Sequence, residues 1–161
     1  MASSEAVANY FLAKSFEQGV PLTPMQLLKL VYIAHGWHRG YFQQNLIDDA
    51  VEAWRYGPVI PGLYHKVKKY GRGHIYESID GFSFQNEISE NPPHANTIAL
   101  LEKVWDVYKD KNGLELSALT HESGTPWDKV WTKSSEPGHF AINEIIPNEL
   151  IQEHYQKLIG S

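Results

Sequence analysis

Cysteine is absent from this sequence, which removes disulfide frameworks, thiolate zinc sites, cysteine-ligated iron–sulfur clusters and cysteine nucleophiles together. No apolar run approaches the roughly 18 residues that a membrane span needs, and Met1-Ala2-Ser3-Ser4-Glu5 lacks the basic segment of a signal peptide. The expectation is a cytoplasmic protein with no membrane contact. Phosphate-binding glycine motifs are missing too: neither Gly-x-x-x-x-Gly-Lys nor Gly-x-Gly-x-x-Gly occurs, and Gly71-Arg72-Gly73 reads as a helix stop. Positive charge is in deficit, 14 Lys+Arg against 19 Asp+Glu for a net charge of −5. The overall field therefore repels a nucleic-acid backbone, and direct DNA binding is not expected.

What is present has a globular profile, 42% hydrophobic and 20% charged over 161 residues. A chain of this length buries roughly 68–70% of its unfolded surface, enough for a core without covalent staples. We read residues 1–161 as a single domain, because no repeat or low-complexity linker divides it.

The apolar patterning is mainly helical. Ala6, Val7, Tyr10 and Phe11 form a stripe behind Ser3 and Ser4, and Gly19 ends it. Thr23-Pro24-Met25-Gln26 combines an N-cap, a proline at the first helical position and a capping-box glutamine. The helix that it opens carries Leu27, Leu28, Leu30, Val31, Ile33 and Ala34 on all sides, so it is expected at the centre and is expected to fray between Gly36 and Gly40. Residues Val51 to Tyr56 alternate like a short strand, with a hairpin partner expected around Leu46. Further helices are expected from Pro61 to Gly71, from Thr97 to Lys109, over Leu114 to Thr120, from Pro126 and from Pro147. Ile75 to Pro93, with Asn86, Asn91, Pro92 and Pro93, reads as a long loop with an extended piece at Phe82-Ser83-Phe84. Gly138 is expected to close the helix from Pro126, and Ile142 to Ile146 to be extended. The fold class is therefore a compact multi-helix domain around a buried central helix, with a small extended or hairpin element.

The reactive side chains form no complete constellation. His35 and His38 stand three apart on the central helix and share a face, but zinc needs three or four donors. Packing or hydrogen bonding near the core is the favoured role for His35, and a fraying helix end for His38. His121-Glu122 lacks a second histidine, and Ser123 lacks the flanking glycine of a nucleophile elbow. An enzyme that assembles His35, His38 and His121 with Glu52 or Glu122 through the fold remains the alternative to a binding protein. The expectation is no catalytic, metal or cofactor site. Asp48-Asp49 reads as a solvated turn, and Lys66, Lys68, Lys69 and Arg72 as a solvated basic face. Thr23 to Gly36 has the outline of a helix-turn-helix, but its second helix is apolar where bases must be read.

Aromatic residues are the remaining functional signal. Trp54, Tyr56, Tyr64, Tyr70, Trp105, Trp127 and Trp131 are of the types that dominate binding hot spots. Helical register assigns Trp105 and Trp131 to the core, whereas Tyr56 and Trp127 lie at loop-to-helix junctions where core and interface are about even.

Two runs carry a resemblance. Leu27-Leu28-Lys29-Leu30-Val31-Tyr32-Ile33-Ala34-His35-Gly36-Trp37 is followed by Glu52-Ala53-Trp54-Arg55-Tyr56-Gly57-Pro58-Val59-Ile60-Pro61-Gly62-Leu63-Tyr64. Together with Ala8-Asn9-Tyr10-Phe11-Leu12, Lys69-Tyr70-Gly71, Thr120-His121-Glu122 and Pro126-Trp127, they resemble the Panacea antitoxin domain family of SocA-like and GepA-like proteins. The resemblance implies an antitoxin, associated with prophages and phage defence, that neutralises a cognate toxin by direct binding rather than by catalysis. SocA-like members are also associated with delivering the toxin to a AAA+ protease, an alternative role for this chain. The matching positions, implied as partner-binding, are Trp54, Tyr56, Gly57, Pro58, Val59, Tyr64, His121, Pro126 and Trp127. Net negative charge would suit a basic, nucleic-acid-directed toxin.

Overall fold

The computed structural model describes residues 1–90, 95–134 and 143–161. Among these residues are eight α-helices and one three-stranded sheet, the mainly helical architecture that the patterning predicts. Helix α1, Ser4–Gln18, opens where the Ser3 hydroxyl accepts the Ala6 N–H at 3.1 Å. It stops at Gly19, whose φ of +66° is the left-handed conformation that glycine adopts without steric cost. The amides at its start, which have no partner within the helix, are matched by carboxylates. Ser4 N–H donates to Asp49 at 3.0 Å, and Ser3 N–H and hydroxyl donate to Glu87 at 2.8 and 2.9 Å. Asp49 is thus a helix-terminal anion rather than a merely solvated turn residue.

Helix α2, Pro24–Phe42, begins with the expected capping box between Thr23 and Gln26. Leu27, Leu30, Val31, Ile33 and Ala34 have no exposed surface, because α1, α3 (Pro61–Val67), α5 (Ala95–Tyr108), α6 (Gly113–His121) and α8 (Asn148–Ile159) all pack on this helix. Each such leucine or valine contributes roughly 1.5–3 kcal/mol by leaving water.

The helix does not fray between Gly36 and Gly40, contrary to expectation. It continues to Phe42 and ends at Gln43 in a left-handed conformation. The two glycines form a notch for Tyr155 of α8: a Cβ on Gly36 would overlap the tyrosine ring, and one on Gly40 would lie 2.9 Å from Tyr155 Cβ. Their small size permits close helix packing, which offsets about 1 kcal/mol of helix propensity lost at each.

Strands β1 (Glu52–Trp54) and β2 (Gly57–Val59) pair antiparallel with Trp54 opposite Gly57, and β3 (Glu144–Ile145) lies on the other edge of β1. The hairpin partner around Leu46 is therefore corrected. Arg55-Tyr56 turns the chain back within two residues, aided by Gly57 at φ +120°, while Ile47 bridges to Ala2 instead. Pro58, which cannot donate to a ladder, sits on the sheet edge as its chemistry requires.

A second correction concerns the loop after Ile75. Phe84–Glu90 is helix α4, opened by the Ser83 hydroxyl accepting the Asn86 N–H at 3.2 Å, so Phe84 is helical and not extended. The preceding stretch is held by Asn9. Its amide donates to the Ile79 and Phe82 carbonyls at 2.9 and 2.7 Å, and its oxygen accepts the Ile79 N–H at 2.8 Å. Helix α3 runs on into a 3-10 turn, Lys68–Tyr70, and α7 spans Pro126–Ser134. Asn91, Pro92, Pro93, Gly138 and Ile142 lie outside the described residues.

Candidate partner-binding site

The β1–β2 hairpin is held through its own carbonyls. The Trp54 carbonyl accepts the Trp127 indole N–H at 2.6 Å, the Tyr56 carbonyl accepts the Ser117 hydroxyl at 3.0 Å, and the Pro58 carbonyl accepts the Lys29 ammonium at 3.0 Å. Three alternate peptides are thereby tied to α7, α6 and α2 respectively. Anchoring through backbone leaves the hairpin side chains free to face elsewhere.

Several face a groove. Its volume is about 500 Å³, within the range of small-molecule and side-chain pockets, and its walls include Met25, Leu28, Trp54, Tyr56, Val59 and Tyr64. Trp54 and Tyr64 meet edge to face at 5.2 Å, and the Trp54 indole N–H donates to Glu52 at 2.9 Å. Tyr56 is the most open of these, 67% exposed, and Arg55 stacks over its ring at 5.4 Å.

The other sequence-predicted positions support this face without lining it. A Cβ on Gly57 would come within 2.8 Å of Lys29 Nζ, so glycine is needed there for space as well as for φ. Pro58 is buried and supplies the carbonyl for Lys29. His121 packs edge to face on Trp127 at 5.4 Å, and Trp127, 7% exposed, stacks on Trp131 at 5.5 Å. Pro126 is buried at the start of α7. Trp127 is thus a core residue whose polar edge grips the hairpin.

Lys29 is the site residue that sequence reasoning passed over. It is 4% exposed and lines the groove. Burial pushes the pKa of its ammonium down to about 8, since removal from water disfavours the charged form. Its signal was legible: one lysine inside Leu27-Leu28-Lys29-Leu30-Val31, on a helix buried all round, must bring a charge indoors.

The histidines are not drawn together with the groove. His35 is fully buried; its Nδ1 accepts the Leu46 N–H at 3.3 Å and its Nε2 donates to Asn148 at 2.9 Å. Acceptance at Nδ1 requires a neutral ring, and burial holds its pKa down to about 4. His38 Nδ1 donates to the Gln44 carbonyl at 2.8 Å, and its Nε2 accepts the Thr97 hydroxyl at 3.0 Å. His38 therefore sits in the core rather than at a frayed end. Among the described residues, no group of three His, Asp or Glu is placed to hold a metal ion, and no helix is long and apolar enough to cross a membrane.

Comparison with known proteins places the chain in a family. The family model described as antitoxin SocA-like, Panacea domain, matches residues 27–128, which contain Lys29, the hairpin, Ser117 and Trp127. The protein described as antitoxin SocA from Caulobacter vibrioides (strain NA1000 / CB15N) is 30% identical over 130 residues, covering 79% of this chain and 69% of that protein. No solved structure matches.

Proposed function

The chain belongs to the SocA-like Panacea antitoxin family, and on that premise we propose that it neutralises a cognate toxin in the cytoplasm by binding it, without catalysis. The groove beside the hairpin is the proposed contact face. One observation carries this reading: Trp54, Tyr56, Val59 and Tyr64, all from the matched region, gather around a single open groove while the hairpin backbone is pinned through its carbonyls. An exposed tyrosine and a half-buried tryptophan on a rigid support supply contact area at low ordering cost.

The test is co-expression with the product of the adjacent open reading frame, scoring growth rescue and co-purification together. Rescue with a stable complex, weakened at least tenfold by Tyr56→Ala, is the expected result. Rescue without a complex would overturn direct binding and favour delivery of the toxin to a protease.

A further inference from the structure

The groove has a charge character opposite to the protein as a whole. Net charge is −5, yet Lys29, Arg55 and Lys68 line the groove and, among the described residues, no carboxylate does. Among the described residues, none of these three cations is ion-paired with Asp or Glu. An ammonium offers three donors, and the Pro58 carbonyl is the one acceptor that Lys29 has among the described residues. A buried charge so sparsely matched costs stability, and a second oxygen in the groove would relieve that cost.

We propose that Lys29 anchors a carboxylate of the toxin, an Asp or Glu side chain that enters the groove beside an apolar residue packed on Trp54, Tyr56 and Tyr64. This inference rests on the direct-binding reading and specifies its chemistry. The 500 Å³ volume has room for a carboxylate side chain together with a neighbouring apolar one. Leu28, Met25 and Val59 supply the apolar wall; Arg55 and Lys68, both exposed, supply attraction at the rim. Electrostatic complementarity of this kind selects the partner and fixes its register, because a neutral or basic residue at the same place would leave Lys29 buried and unmatched.

The first probe is 4-phenylbutyrate, an acid joined to an aromatic group, compared with its amide at millimolar concentration on the isotope-labelled full chain. The acid is expected to shift the amide resonances of Lys29, Gly57 and Tyr56, with the amide without effect and Lys29→Met abolishing the response. Equal responses to acid and amide, or none to either, overturn the anchor. The second measurement is the affinity of Lys29→Met for the adjacent-gene product, expected to fall at least tenfold, or about 1.4 kcal/mol. An affinity within twofold of wild type, with Tyr56→Ala still defective, overturns the anchor and leaves direct binding standing. Absence of any complex with the wild-type chain overturns direct binding itself, and the acid–amide comparison then decides the chemistry of the groove alone. If Lys29→Met does not fold, the wild-type response to acid against amide decides between anchor and no anchor.

Discussion

Lys29 and His35 lie on the same central helix, both ionisable and both buried, but their surroundings differ. Toward the C-terminal end of α2, α8 closes over Gly36 and Gly40, and each ring nitrogen of His35 and His38 has a partner. Toward the N-terminal end, Lys29 has one carbonyl among the described residues and a groove beside it. Burial alone therefore does not separate a structural polar group from an available one. The number of donors left unmatched, and a groove lined by the same residue, does.

The largest effect that probes this contrast is at the closed end. Gly36→Val is expected to cost about 3 kcal/mol, since the added carbons would fall inside the Tyr155 ring and overpacking of a sealed contact is not relieved by small shifts. A denaturant midpoint equal to wild type would show that α8 is not seated on the glycine notch.

Acid should attack the same end. The folded chain holds His35 neutral to about pH 4, whereas an unfolded histidine takes up a proton near 6.5. The unfolded state binds more protons across that window, so stability is complete above 6.5 and falls as pH drops toward 4, by about 3 kcal/mol in total. A pH series of urea melts checks this, and His35→Gln should flatten the slope; a wild-type curve level across that interval contradicts it.

The open end should respond in the alkaline range. Lys29 in the folded chain releases its proton near pH 8 against an ordinary value of 10.5, so the unfolded state binds more protons between those values and stability rises with pH there. Lys29→Met is expected to gain about 1 kcal/mol at pH 7, the relieved burial of charge less the loss of the bond to Pro58. The variant should lack the alkaline rise, and a substantial loss of thermal stability at neutral pH would assign Lys29 to fold maintenance instead. The smallest effect is at the rim, where Tyr56→Ala should change stability by no more than about 0.5 kcal/mol. A larger loss in the melting curve would place Tyr56 among the structural residues.

Local chemistry was readable from the chain. The Thr23–Gln26 cap, the proline starts of α3 and α7, and the all-round apolar face of α2 depend on neighbours within one or two turns, and they stand where the patterning puts them. Helix α4 escaped because its one cap, Ser83, sits in a polar stretch with little apolar period. Of the nine positions singled out for partner binding, Trp54, Tyr56, Val59 and Tyr64 line the groove, while Trp127 and Pro58 take part in the bonds that fix the hairpin.

By itself, then, the sequence determined the helical class, the central helix and the presence of a hairpin, because periodicity and capping act over a few residues. Only the tertiary structure decided that Gly36 and Gly40 receive a tyrosine, that the hairpin carbonyls are gripped by Trp127, Ser117 and Lys29, and that Lys29 borders open space. Those outcomes join residues 73 positions apart for Trp54 and Trp127, and 61 apart for Tyr56 and Ser117. No local pattern encodes such contacts, since they exist only once the helices have packed.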